Sequence, residues 1–375
     1  MPLSDLQIQA LGRDAMQRAQ AGDFAGAEPL FAQLVAERPN SGQALHLLGQ
    51  VRLKLGRYGE ARAPLERAAK FLPREFTAQV NYAGCLTVLG EHEAALAALE
   101  RAATLKPGDS VINHNRGRAL EELGRLEEAE RAFDEALSID HRLMPSLIAR
   151  AGLLEARGDW IGALADLDMA LTNRPDDAHL KLRRGELLLR QGDWMRGLPD
   201  YEARLDIPGA VYAPALPRWQ GEPVERLLIY PEQLDIESDA AKRDTLMLAR
   251  GVEAVVQCGE TLAVWLDGPT IRRGESLEGF TAAAALRSLP YLLDWSPDAP
   301  PPPPALQDRD AGASHDPLIG DDTWDTHLAA ARGIATTIRL PAKPDWLWGR
   351  QEGPSPWYRS LELVRQSISS TPSSS

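Results

Sequence analysis

Two asparagines, Asn81 and Asn115, stand 34 residues apart in the chain. A side-chain amide carries both a hydrogen-bond donor and an acceptor, so stacked amides can pair with the backbone of an extended peptide without reading its sequence. The same two side chains could instead be solvated on exposed helix faces. The pair indicates a peptide-binding surface if the elements that carry the two residues stack side by side.

The elements that must position these side chains repeat every 34 residues. Small residues and prolines recur with the same 34-residue spacing as a set of glycines. These glycines are Gly22, Gly56, Gly90, Gly124, Gly158 and Gly192. The glycine allows a turn between two helices, the small residue lets them approach closely, and the proline ends the second helix. This period with these residue types is the tetratricopeptide pattern, in which stacked hairpins share one core. The sequence predicts an α-solenoid of about six repeats over residues 1–207.

In such a stack the first helix of each hairpin lines a concave groove, which we expect to bind a protein or peptide. The side chains expected in the groove are His46, Gln50, Asn81, His114, Asn115, Arg118, Arg183, Glu186 and Arg190. The histidines lie in non-adjacent repeats, too far apart for one metal ion, whose ligands must lie within a few ångströms. We therefore expect no metal site.

Composition limits the partners and the compartment. The 375-residue chain is 44% hydrophobic, which is enough for a packed core. Its formal net charge of −13 argues against nonspecific binding of nucleic acid or anionic membranes, which needs clustered positive charge. The two cysteines, Cys85 and Cys258, have no metal-ligand spacing and are expected to be reduced and mostly buried. The first residues do not show a basic segment followed by an apolar run, and no apolar stretch approaches the roughly 20 residues needed to span a bilayer, so we expect neither a signal peptide nor a membrane span. The sequence predicts a cytoplasmic protein.

After a linker at residues 208–225, strand and helix patterns alternate. Strands are predicted at 226–230, 252–258 and 270–273, and helices at 238–250, 260–266 and 277–293. Strands that alternate with helices favour a parallel sheet of Rossmann type over residues 226–295. The predicted fold class is therefore α + α/β, with the solenoid followed by a truncated Rossmann-like domain.

The rest of the chain begins with a proline-rich linker at residues 296–320, which contains five consecutive prolines. Such a run is extended and semi-rigid, and it could also bind a proline-reading module. Residues 321–366 are predicted to hold a helix at 325–332, a strand at 334–340 and a strand or short helix at 358–366. We expect this segment to pack onto the edge of the first sheet, and residues 367–375 to be disordered.

Several motifs resemble those of a bacterial family that fuses tetratricopeptide repeats to a GT-B glycosyltransferase domain similar to family 9 or the SPINDLY-like enzymes. The motifs lie at residues 192–197, 201–204, 217–222, 226–233, 322–323, 327–329, 344–346, 348–350 and 355–358. The resemblance implies that residues 226–295 are half of a GT-B fold and that 321–366 are its closing segment. It also implies a nucleotide-sugar donor, with these candidate contacts: Asp322, Thr323, His327, Glu232 and Gln233.

The chain departs from that family in two respects. The family's glycine-rich loop after the first strand is replaced by residues 231–237, which contain no glycine and are acidic. Lost glycines remove the backbone approach to a ligand, and acidic side chains repel a diphosphate. In addition, only the proline-rich linker stands where most of the second domain is expected. His327 could therefore be a cap or packing residue rather than a donor contact.

These features favour a protein-binding scaffold with a degenerate glycosyltransferase-like domain that needs no cofactor. The tryptophans Trp346, Trp348 and Trp357 could stack on a base or sugar, or hold the C-terminal segment against the sheet. The alternative is an active glycosyltransferase that moves a hexosyl or N-acetylhexosaminyl group from a nucleotide sugar to a protein or glycan acceptor bound in the groove. No catalytic residue is identified. A third hypothesis is an assembly scaffold that acts beside an active relative.

Overall fold

The computed structural model describes residues 3–209, 214–232, 238–248, 254–263, 266, 269–293, 295, 318–331, 335–340, 345, 353–355, 357 and 361–365. The chain divides into two compact units, Met1–Asn173 and Arg174–Ser375. The sixth predicted repeat therefore belongs to the second unit. No helix among the described residues is both long and apolar enough to cross a membrane.

Residues 3–173 of the first unit form ten helices in five hairpins. They are α1 (Asp5–Gln20), α2 (Phe24–Glu37), α3 (Gly42–Lys54), α4 (Tyr58–Phe71), α5 (Phe76–Val88), α6 (His92–Leu105), α7 (Ser110–Glu122), α8 (Leu126–Ile139), α9 (Met144–Arg157) and α10 (Trp160–Asn173). The first helices of successive hairpins contact each other from α3 to α9, which is the stacking that the predicted groove requires.

The 34-residue spacing produces the hairpins as predicted. The six repeated glycines have φ between 71° and 85°, a region that costs a residue with a Cβ about 1–2 kcal/mol. The small residues that follow them, Ala27, Ala61, Ala95, Ala129 and Ala163, are fully buried. Polar side chains such as Ser4, Ser41 and Asp109 accept hydrogen bonds from the first free N–H groups of their helices.

The second unit begins with the hairpin α11 (Ala178–Arg190) and α12 (Trp194–Tyr201), followed by a 3₁₀ turn at Glu202–Asp206. Four parallel strands form its first sheet in the order β3-β2-β1-β4. They are β1 (Leu227–Tyr230), β2 (Val255–Gln257), β3 (Thr270–Ile271) and β4 (Ala282–Ala285), with helices α13 (Asp239–Leu248), α14 (Glu260–Ala263) and α15 (Leu289–Leu292).

The prediction of a helix at residues 277–293 was wrong for most of that span. Four alanines form strand β4, and only Leu289–Leu292 are α-helical. Alanine has the highest helix propensity, but here both sides of the strand are hydrogen-bonded. It pairs with β1, and the backbone of Ala283 bonds to Pro217 and Trp219 at 2.8 Å each. All four alanines are buried, so tertiary contacts override the local preference.

The C-terminal segment forms a sheet of its own, with strand order β5-β6-β8-β7, instead of packing onto the edge of the first sheet. Its strands are β5 (Leu318–Asp321), β6 (Thr336–Leu340), β7 (Gly353–Pro354) and β8 (Leu361–Arg365), with helix α16 (Trp324–Ala331) between the first two. Only β7 is antiparallel. Within the described residues, the strand predicted at 334–340 is confirmed over Thr336–Leu340, and the strand option at 358–366 is confirmed over Leu361–Arg365.

One apolar core joins the parts of the second unit. It contains Leu198 of α12, Ile229 of β1, Ile338 of β6 and Leu363 of β8. Trp194 and Trp357 stack within it, with ring centroids 5.9 Å apart. Trp357 therefore takes part in core packing, while Trp346 and Trp348 lie outside the described residues, as do most of the proline-rich linker and the tail.

Candidate functional site

The first unit contains an open pocket of about 540 Å³ that extends over three successive hairpins and is lined mainly by their first helices. Apolar side chains form most of its lining, and the amides of Gln50 and Asn81 lie among them. Its lining residues are Met16, Ala19, Gln20, Phe24, Phe31, Leu47, Gln50, Val51, Leu53, Lys54, Tyr58, Asn81 and Gly84. Two predicted groove residues thus line a cavity large enough for a ligand.

His46 differs from Gln50 and Asn81 in being only 4% exposed. Its Nε2 atom lies 2.8 Å from Nδ2 of Asn81, so it contacts a lining residue from within the fold. Burial lowers the pKa of His46, although the charge of Glu75 and a hydrogen bond to the backbone of Thr77 act in the opposite direction. The structure therefore places His46 as a support for Asn81.

The predicted groove residues on α7 are partly engaged within the chain. His114 is half-buried, with Nδ1 3.0 Å from the Ser146 hydroxyl and its ring 5.7 Å from that of Phe133. Burial, and secondarily the charge of Arg118, lowers the pKa of His114. Arg118 donates to Glu121 at 2.6 Å and to Glu122 at 3.2 Å. The half-buried Asn115 lies on the same helix.

The remaining predicted groove residues, Arg183, Glu186 and Arg190, lie on α11 of the second unit and are half-buried. They are on the first helix of the sixth hairpin, as the repeat register predicts. Their role as peptide contacts stays a prediction.

Gly84 is a lining residue that the sequence analysis did not single out. It lies in the middle of α5, where glycine lowers helix stability by about 0.8–1.0 kcal/mol relative to alanine. Gly49 and Gly117, in other first helices, have packing reasons: an added Cβ would lie 2.4 Å from Leu65 and 2.5 Å from Phe133. At Gly84 an added Cβ would meet no described atom within 4 Å. The sequence could have pointed to Gly84, because it stands one residue away from the 34-residue register that Gly49 and Gly117 share.

The donor candidates of the second unit lie in two places. His327 of α16 is fully buried, and its Nε2 lies 2.8 Å from a carboxylate oxygen of Asp322. Thr323 is exposed, and its carbonyl oxygen accepts a hydrogen bond of 2.8 Å from the hydroxyl of Thr326. These contacts hold the beginning of the helix together. Their role toward a donor stays a prediction.

Glu232 is buried just beyond the carboxyl end of β1. It faces Arg204, which lies in the 3₁₀ turn after the last hairpin. Nε of Arg204 donates to Oε1 of Glu232 at 2.6 Å, and Nη2 donates to the hydroxyl of Ser288 at 2.8 Å. Burial alone would lower the pKa of Arg204, but the carboxylates of Glu232 and Glu202 raise it. Gln233, the last donor candidate, lies outside the described residues.

Arg287 makes a second set of contacts just beyond the carboxyl end of β4. Its guanidinium donates to Asp244 and Asp345 at 2.7 Å each and to the hydroxyl of Tyr201 at 3.0 Å. Its backbone N–H donates to Glu232 at 3.2 Å. Ligands of open parallel sheets bind outside the carboxyl ends of the strands. Here, Arg204 and Arg287 place charged side chains of the protein itself beside those ends.

Sequence reasoning missed both arginines as site residues. Arg204 stands in one of the motifs quoted above, but its partners are 28 and 84 residues further along the chain. The described residues contain no group of three or more His, Cys, Asp or Glu that could hold a metal ion.

Comparison with known proteins assigns the repeats. Residues 18–83 and 86–150 match one tetratricopeptide-repeat family model, and residues 148–210 match a second. The region from residue 18 to residue 210 is thus made of tetratricopeptide repeats, as the period predicts. No curated protein matches the chain.

Three solved structures illustrate the likeness. MamA from Desulfovibrio magneticus RS-1 is 18% identical over 46% of this chain and 98% of its own, with a TM-score of 0.44. A tetratricopeptide-repeat protein from Parabacteroides merdae is 22% identical over 53% and 79%, with a TM-score of 0.47. PilF of Pseudomonas aeruginosa is 20% identical over 55% and 94%, also with a TM-score of 0.47.

Proposed function

We propose that the chain is a protein-binding scaffold whose first hairpins hold an extended segment of a partner protein. In this proposal residues 226–295 of the second unit are a degenerate, Rossmann-like half of a glycosyltransferase-like fold, residues 321–366 are its closing segment, and the two together lack full catalytic activity. The observation that carries the binding function is the pocket across three hairpins. It combines apolar side chains, which gain from burial, with amides that can bond to a peptide backbone.

The arrangement of Asn81 supports an extended segment as the ligand. The amide nitrogen of Asn81 faces His46, and Asn81 is also one of the residues that line the pocket. The carbonyl oxygen of this amide is an acceptor for a backbone N–H of the bound segment. Gln50, from the preceding hairpin, offers a donor and an acceptor in the same pocket. A segment held through its backbone would be recognised with little dependence on its sequence at these positions.

One feature of the second unit supports the Rossmann-like fold, and another supports its degenerate character. Its first sheet has the order β3-β2-β1-β4 with all strands parallel, which agrees with half of a nucleotide-binding fold. The carboxyl ends of β1 and β4, where such folds bind ligands, are followed by Glu232 and Arg287. Both residues are already bonded to other parts of the unit. A diphosphate at this place would have to compete with these carboxylates for the arginines.

The binding function can be tested with a fluorescein-labelled library of random-sequence decapeptides, sorted by affinity for the purified full-length chain. We expect the chain to retain a subset of peptides, and the double variant Gln50→Ala/Asn81→Ala to bind that subset about tenfold more weakly, as expected for the loss of two hydrogen bonds. Gln33→Ala removes an exposed amide from the second helix α2 and serves as the matched control. Equal binding by the double variant, or no retained peptide, contradicts the proposal.

A further inference from the structure

Gly84 has no structural reason to be glycine. It lies within α5, it has no positive φ, and no described atom lies within 4 Å of a Cβ built on it. By contrast, Gly49 and Gly117 are required by packing against Leu65 and Phe133. Gly84, unlike Gly49 and Gly117, leaves a space open on the ligand side of the proposed groove. A missing side chain at an exposed position of a pocket lets a ligand approach the helix backbone.

The space above Gly84 belongs to the pocket with an apolar lining. Met16, Leu47, Leu53 and Tyr58 contribute to the same pocket, and each is half-buried rather than covered. Their partly exposed apolar surface would gain from contact with a large apolar group.

Lys54 supplies a charge at this pocket. Of the described residues that line the pocket, only Lys54 is charged. It is exposed, and no carboxylate of the described chain lies within 4.0 Å of its ammonium group. In a chain with a net charge of −13, a cation that has no acidic partner in this part of the structure is complementary to an acidic ligand.

We infer that Gly84 forms the floor of a subsite for a large apolar side chain of the bound segment, and that an acidic residue next to this anchor pairs with Lys54. This inference rests on the proposed function and adds the chemistry of the partner: an extended segment in which a Phe-sized residue adjoins Asp or Glu.

Four synthetic octapeptides test the inference. They share a Ser/Gly framework, have an acetylated N-terminus and an amidated C-terminus, and carry Phe-Asp, Ala-Asp, Phe-Lys or Ala-Lys at the centre. Binding of each to the full-length chain is measured by isothermal titration calorimetry. We expect the Phe-Asp peptide to bind about tenfold more tightly than the Ala-Asp peptide, because the aromatic side chain becomes buried. We expect it to bind about threefold more tightly than the Phe-Lys peptide, because a partly exposed ion pair contributes little.

Two variants assign these preferences to residues. Gly84→Leu should fill the subsite and reduce Phe-Asp affinity to that of Ala-Asp, whereas Lys54→Gln should remove the preference for Asp over Lys. Gly59→Leu is the matched control, because Gly59 also lies in a helix of the first unit with no described atom within 4 Å of an added Cβ, but it does not line the pocket. Circular dichroism before each titration confirms that the variants are folded.

The outcomes separate this inference from the proposed function. If Gly84→Leu binds the Phe-Asp peptide as the unaltered chain does, or if Phe and Ala peptides bind equally, the inference is wrong. The decapeptide library can still be retained in that case, which leaves the scaffold function in place. If neither the four peptides nor the library binds, both proposals are wrong.

Discussion

The amide nitrogen of Asn81 lies 2.8 Å from Nε2 of His46. An amide nitrogen can only donate, so Nε2 is the acceptor, and His46 is neutral with its proton on Nδ1. This contact fixes which atom of the Asn81 amide faces the histidine. The charge state of a buried ring thereby determines how a groove residue presents its hydrogen-bonding groups.

Stability of the first unit should fall as the pH falls below about 6.5, the ordinary pKa of histidine. The folded state lowers the pKa of His46 and His114 by burial, so the unfolded chain binds protons first. This stabilisation is complete above the unfolded pKa and is lost as the pH falls toward the folded values. Urea unfolding at pH 7.5 and 5.5, followed by far-ultraviolet circular dichroism, measures the change.

The matched variants for this pH effect are His46→Gln and His141→Gln. Glutamine does not titrate and its carbonyl oxygen can accept from Asn81, so His46→Gln should reduce the difference in unfolding free energy between the two pH values. His141 is exposed, and its replacement should leave the difference unchanged. An unaltered pH dependence in His46→Gln would show that this ring does not drive it.

Replacement of a turn glycine should destabilise the first unit. Gly90 has a φ of 76°, so Gly90→Ala is expected to lower the free energy of unfolding by about 1–2 kcal/mol. Gly59→Ala, in the first turn of a helix and free of close neighbours, should instead leave the free energy of unfolding unchanged or raise it by up to about 1 kcal/mol. Equal effects in urea titrations would contradict the role of the positive φ.

Gly185 should tolerate no side chain in the last hairpin. A Cβ at this position would lie 2.7 Å from the backbone nitrogen of Tyr201 and 2.9 Å from the carbonyl oxygen of Gly197. Because backbone atoms cannot move aside cheaply, Gly185→Ala should destabilise the second unit by about 1–3 kcal/mol. Gly84→Ala meets no neighbour and should instead stabilise the first unit by up to about 1 kcal/mol.

The effect of Gly185→Ala can be measured by tryptophan fluorescence during denaturation. Trp160 is the only one of the nine tryptophans in the first unit, so the signal reports mainly on the second. A midpoint in Gly185→Ala equal to that of the unaltered chain would show that the two helices can separate without cost.

Removal of either partner of the ion pair between Arg204 and Glu232 should strongly lower the stability of the second unit. Both residues are at most 5% exposed, and removing one partner leaves a buried charge, which costs about 3–5 kcal/mol. Arg204→Met and Glu232→Met should each destabilise the second unit by this order. The double variant Arg204→Met/Glu232→Met should recover most of the loss, because neither charge of this buried pair is then left without the other, while the Glu202 carboxylate that also bonds to Arg204 is partly exposed. Additive losses in a double-mutant cycle would contradict direct coupling.

Nucleotide sugars should not bind the second unit measurably. UDP-N-acetylglucosamine titrated into the full-length chain at millimolar concentration is expected to give no saturable heat, because Glu232 is engaged with Arg204. Saturable binding that disappears in a folded His327→Ala variant would instead favour the active glycosyltransferase of the sequence analysis.

The repeats could be predicted from the sequence because each is specified by local residues. The turn glycine, the small residue and the caps act within one 34-residue unit, so their spacing determines the hairpin. Strand β4 could not be predicted in the same way, since its alanines are held by β1 and by Pro217 and Trp219. Likewise, the bonds from Arg204 to Glu232 and Ser288 depend on the tertiary fold. His46 was correctly placed on a first helix, but its burial depends on packing that the register alone does not specify.

Arg287 has a consequence for synthesis on the ribosome. It joins Tyr201, Glu232, Asp244 and Asp345, the first and last of which are 144 positions apart in the chain. Each hairpin of the first unit is complete once its own residues and those of its neighbour have emerged. The second unit must wait for the arrival of Asp345. We expect the first unit to fold during translation, while the second is still being made.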